Sequence, residues 1–110
     1  MATVFRVMAA AVQAAAAFSL LPTAAWAQSK APSAAQMCIT CHGANGISAT
    51  PDAPHLAGQP PIYLEAQLRA YRSGARKHEV MNVIAKPLTD DDIAQAAAWF
   101  SAIKIEAKLP

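Results

Sequence analysis

The residues of this sequence best suited to chemistry stand close together in Cys38-Ile39-Thr40-Cys41-His42. The chain has two cysteines, both here, and four uses of them compete. A disulfide between them would close a very small loop and stabilise little. A thioredoxin-like redox pair has this spacing, but that fold needs a parallel sheet with crossover helices, and strand-like sequence is almost lacking. Zinc needs two ligands beyond the cysteines. His42 offers one, whereas His55 and His78 are isolated. The fourth use is covalent attachment of haem, for which C-x-x-C-H is the attachment motif. Two intervening residues let both thiols reach the two vinyl groups on one side of a porphyrin. The adjoining histidine then falls beneath the ring, where it can ligate iron.

Iron held in this way has a second axial position, taken by Met, His or a small molecule. Met1 and Met8 lie at the extreme N-terminus, which leaves Met37 and Met81. Met37 adjoins Cys38 and cannot easily cross to the opposite face. Met81 lies in a connector far along the chain and can reach it. His55 follows Pro54 directly, in the loop after the motif, and His78 lies close to Met81. Met81 could also serve only as a gap-filler in a core. Met81, His78 and an open position stay as candidates.

The elements that must position these residues are helical. Residues 34–41 hold helix formers and run into the motif. Residues 43–61 carry Gly43, Gly46, Gly58, Pro51, Pro54, Pro60 and Pro61, a density that predicts a long ordered loop. A loop of that length in a small domain must wrap something. Residues 62–73 are predicted as a helix, with Leu64, Leu68 and Tyr71 on one face and Gly74 as the stop. Residues 77–86 are predicted as a connector. Thr89 then caps a last helix, Asp90, Asp91 and Asp92 fill its first turn, and Ile93, Ala96, Ala97, Phe100 and Ile103 form its apolar stripe. No internal repeat is visible.

The first 27 residues have a different character. Arg6 is their one charge, an apolar run extends from Val7 to Leu21, and Pro22 precedes Ala25-Trp26-Ala27. This is the layout of a cleaved secretory signal peptide. The run is shorter than the about 20 residues of a membrane span, so no permanent anchor is expected. The chain thus divides into a signal peptide over 1–27, a flexible leader over 28–33, a domain over 34–105 and a tail over 106–110. Export suits the haem reading, since c-type haem is attached outside the cytoplasm. Nine Lys/Arg against seven Asp/Glu give a net charge of +2 in 110 residues, which argues against a nucleic-acid partner.

The sequence resembles the class I cytochromes c, in particular the short bacterial periplasmic ones and the single-haem repeats of their two-haem relatives. The resemblance rests on Cys38 to Gly43, Pro54-His55-Leu56-Ala57-Gly58-Gln59, Tyr63 to Leu68, Arg72-Ser73-Gly74-Ala75-Arg76, Met81, and Leu88 to Ala94. It implies an all-α fold of three to four helices around one covalently bound haem c. It implies thioethers at Cys38 and Cys41, and His42 and Met81 as axial ligands. Pro54 would offer its carbonyl to the free ring nitrogen of His42. Leu56 and Leu68 would line the haem pocket, and Trp99 and Phe100 would lie where the last helix crosses the first. His55 stands where the family commonly has Asn, and Trp99 where it commonly has Tyr.

The expected function is that of a periplasmic one-electron carrier. Iron with two protein ligands cycles between ferrous and ferric without a vacant position for substrate. No acid–base or nucleophilic constellation is visible, so no enzyme is expected. One rival is a haem c subunit that accepts electrons inside a periplasmic oxidoreductase; another is an open-site gas-binding protein. Partners would be redox proteins: a dehydrogenase, an oxidase or a respiratory complex. The chain would act as a monomer or as a small subunit. Arg69, Arg72, Arg76 and Lys77 concentrate positive charge and would either steer an acidic partner or merely solvate a helix end.

Overall fold

The structure, a computed structural model, describes residues 30–110. The signal peptide expected over 1–27 lies outside them. Four helices follow in order: α1 (Ser33–His42), α2 (Pro61–Ser73), α3 (Glu79–Ala85) and α4 (Asp90–Ala102). No strand occurs among the described residues, and the all-α expectation holds.

Each boundary has a local cause. α1 continues through the cysteine motif and ends at Gly43, whose φ of 86° and ψ of 150° belong to a region that only glycine enters freely. A side chain at Gly43 would also place its Cβ 2.1 Å from the carbonyl oxygen of Ile47. α2 starts with Pro61, where a missing N–H is harmless, and ends at Gly74 in the left-handed conformation. Thr89 and Asp92 close a capping box at the start of α4, each accepting the other's backbone N–H.

α3 corrects the prediction of a plain connector over 77–86. Its seven residues include Val80, Val83 and Ile84, which favour strands in isolation, and the element is too short to show a helical period. Tertiary support makes it. The imidazole of His78 accepts hydrogen bonds from the backbone N–H groups of Val80 and Met81, each at 3.2 Å. Ala85 at its far end is fully buried beside Leu88 and Ile93.

α4 packs against both α1 and α2, and α2 packs against α3, while α1 and α3 do not touch. Ala35, Leu64, Ala97 and Phe100 form one core cluster, with Cys38, Leu56 and Trp99 against it. Trp99 and Phe100 therefore lie where α4 meets α1, as expected. Leu68 and Tyr71 flank the second cluster of Ala85, Leu88 and Ile93. The loop over residues 43–60 is pinned to this frame. Leu56 and Ala57 donate their N–H groups to the carbonyl of Gly46, and Gly58 donates to the carbonyl of Phe100 at 2.9 Å.

Candidate functional site

A single cleft gathers most of the residues that the sequence singled out. Cys38 and His42 of α1, Pro54 and Leu56 of the loop, Leu68 of α2 and Met81 of α3 all line it. It contains about 810 Å³ of empty space, part of it open to solvent. Because α1 and α3 do not touch, the cleft runs between the elements that carry His42 and Met81.

His42 is 7% exposed, and its Nδ1 lies 2.8 Å from the carbonyl oxygen of Pro54. A carbonyl only accepts, so Nδ1 carries the proton. The neutral ring then has its lone pair on Nε2, the form in which imidazole binds a metal. Pro54 itself is fixed by the loop contacts to Gly46 and Phe100, so tertiary structure sets the tautomer.

Cys38 and Cys41 are three residues apart on α1 and therefore neighbours on its surface. Cys38 is half-buried on the cleft wall, while Cys41 is exposed and does not line the cleft. Burial, and then the neighbouring Cys41, push the Cys38 thiol up to about 11. The described residues hold no strand, so the thioredoxin-like alternative lacks the sheet that its fold requires. The zinc alternative lacks its further ligands: no three His, Cys, Asp or Glu side chains converge among the described residues.

The two rival histidines have other work. His55 is exposed and accepts the backbone N–H of Ser48 at Nδ1, 2.8 Å away. His78 caps α3. Neither lines the cleft, whereas Met81 does.

Gln59, Tyr63, Gln67 and Arg76 also line the cleft and were missed as site residues. Tyr63, Gln67 and Tyr71 recur at i, i+4 and i+8, a polar–aromatic stripe beside the aliphatic one, and that spacing was legible. Arg76 donates to Gln67 Oε1 at 2.6 Å and stacks 4.7 Å over the Tyr71 ring. The basic cluster is consequently not a free patch. Arg69 pairs with Glu65 at 2.9 Å, and Arg72 bridges Asp90 at 2.6 Å and the Leu88 carbonyl at 2.9 Å. Lys77 has no ion pair among the described residues.

The sequence pattern of the Cytochrome c family matches residues 29–104. The chain belongs to the cytochrome c family. It is 44% identical over 87 residues to the thiosulfate dehydrogenase electron acceptor of Thiomonas intermedia, covering 77% of this chain and 39% of that protein. It is 43% identical over 68 residues to cytochrome c-554(548) of Halomonas halodenitrificans, covering 59% of this chain and 82% of the relative. The solved cytochrome c4 of Acidithiobacillus ferrooxidans superposes with a TM-score of 0.56 at 40% identity, over 59% of this chain and 37% of the other. This cytochrome c thus spans about two fifths of the longer relatives and most of the shorter one. Cytochromes c are electron-transfer proteins that bear c-type haem. No helix among its described residues is long and apolar enough to cross a membrane.

Proposed function

We propose that this cytochrome c carries one electron at a time on a single haem c, joined through Cys38 and Cys41 and ligated by His42 and Met81. The residues present fit that group. The cleft offers a thiol, an imidazole in its ligating tautomer, a thioether and aliphatic walls from Leu56 and Leu68. The observation that carries the reading is that His42 and Met81 line one cleft from two helices that do not touch. The bound haem supplies an iron that alternates between ferrous and ferric. His42 and Met81 would hold that iron, and a Met ligand would favour its ferrous state. Pro54 fixes the His42 ring and strengthens its donation.

The relatives named as electron acceptors of thiosulfate dehydrogenase support a dehydrogenase as the electron donor. The leader over 1–27 supports a periplasmic location. The same relatives favour, as a second reading, stable association with that dehydrogenase. Purification separates the two: a shuttle runs free, whereas a subunit travels with its enzyme.

Extraction and mass test the attachment. Haem should stay with the protein in acidic organic solvent, and the intact mass should exceed the polypeptide by one haem. A protein at plain polypeptide mass would end the reading. Met81→Ala should abolish the weak thioether-to-iron charge-transfer band of the ferric form and open the ferrous iron to carbon monoxide. Should the wild-type ferric form lack that band, and His78→Ala rather than Met81→Ala open the ferrous iron to carbon monoxide, the distal ligand is His78.

A further inference from the structure

We propose that Asn82 is a positioning residue for the Met81 side of the cleft: its side-chain amide ties the start of α3 to the end of α2 and so holds Met81 on the cleft wall. The inference rests on the reading of Met81 as distal ligand.

One side chain joins three stretches of backbone. Asn82 Oδ1 accepts the N–H of His78 at 2.7 Å. Its Nδ2 donates to the carbonyl of Tyr71 at 2.7 Å and to the carbonyl of Arg76 at 2.8 Å. Tyr71 belongs to the last turn of α2, where its carbonyl also accepts the N–H of Gly74 at 3.2 Å. Arg76 lies in the connector, and His78 is the residue that caps α3. One acceptor and two donors are required at this point, and a primary amide supplies them. A carboxylate in its place would bring no donor at neutral pH, and an aliphatic side chain would bring neither.

α3 has little else to hold it. A helix of seven residues does not persist alone. Val80 and Val83 face solvent, at 48% and 70% exposure, and only Ala85 is buried. These three hydrogen bonds, one to α2 itself and two to the connector and cap that lead into α3, are therefore a large share of what holds α3 in place. Asn82 also fixes the residue whose imidazole caps the N–H of Met81. A thioether is a weak, uncharged donor, so its hold on iron depends on how closely the protein confines it. Supporting hydrogen bonds around metal ligands commonly change affinity by roughly ten- to a hundredfold.

The test uses the haem-bearing protein and the variants Asn82→Ala, Asn82→Asp and Met81→Ala. The readouts are the ferric charge-transfer band, the rate of carbon monoxide binding to the ferrous form, and far-ultraviolet circular dichroism. The two hydrogen bonds lost in Asn82→Asp, and the three lost in Asn82→Ala, shift the docking equilibrium of α3 by roughly ten- to a hundredfold. Asn82→Ala and Asn82→Asp should therefore bind carbon monoxide faster by about that factor, and lose the band on warming well below the loss of helix. A band that disappears only with the helices, at a wild-type carbon monoxide rate, makes Asn82 merely structural and overturns the proposal. If Met81→Ala keeps the band, the distal-ligand reading itself has failed, a different outcome. Should both Asn82 variants fail to fold, the wild type still decides. In sub-denaturing urea, His78 amide exchange and band loss should report one shared local opening. Exchange of that amide only through global unfolding would overturn the proposal.

Discussion

The Nδ1 atom of His42 lies 2.8 Å from the carbonyl oxygen of Pro54, twelve residues away across a loop that is pinned at Gly46 and Phe100. This bond presets the imidazole for the ligand role proposed for it, because it commits the proton to Nδ1 and the lone pair to Nε2. In the haem-bearing protein the Nδ1 proton should be seen by NMR as a slowly exchanging resonance, since His42 is only 7% exposed. A proton in rapid exchange with water would show that the loop does not hold the ring.

Gly43→Ala should destabilise the domain strongly. The added Cβ meets the Ile47 carbonyl oxygen at 2.1 Å, and φ of 86° with ψ of 150° suits no other residue. Strain of this kind costs about 1–3 kcal/mol. For a domain of this size each kcal/mol lowers Tm by about 4–8 °C. Thermal melting of the haem-bearing variant measures it, and an unchanged Tm would contradict the turn geometry.

Acid should weaken the start of α4 through its carboxylates. A hydrogen bond from Arg72, then its charge, hold Asp90 below its ordinary value of 3.8. The backbone N–H and then the hydroxyl of Thr89 do the same for Asp92. A depressed carboxyl stabilises the folded state above its unfolded pKa, and that contribution fades as pH falls through the lower folded value. Stability from these two groups should be constant near neutrality and decline below about pH 4. Arg72→Ala should remove most of the Asp90 component and lower Tm at pH 7, because it also frees the Leu88 carbonyl. Denaturant titrations across pH test both statements.

Arg69 and Arg72 are ties between α2 and the start of α4, so reversing them tests folding more than docking. Lys77→Glu is the cleaner probe of steering. If an acidic partner is steered there, the variant should slow electron transfer at low salt and leave the haem spectrum intact. A rate insensitive to Lys77 and to salt would place docking on an uncharged surface.

The haem-free chain should be largely unfolded. Among the described residues six of the ten buried apolar ones are alanines, and only Leu64, Leu88, Ile93 and Phe100 are larger. So small a core rarely sustains a domain without a cofactor. A cooperative melt of haem-free protein, matching that of the haem form, would contradict this.

The family, the haem motif and three of the four described helices were legible before folding, because each is written in local signals. Cys38, Cys41 and His42 are fixed by spacing alone. The Thr89–Asp92 capping box, the Gly74 stop and the stripe from Leu64 to Tyr71 are contained within one or two turns of chain. Tertiary structure decided what depends on residues far apart. α3 has no legible period and exists because His78 caps it and Ala85 is buried beside Ile93. The fates of Arg69 and Arg72 turned on Asp90, well beyond them in sequence, which made ties of residues that read as a free charge cluster. That Met81 lines the cleft and His78 does not likewise followed from how α3 sits on α2, and no local pattern records that.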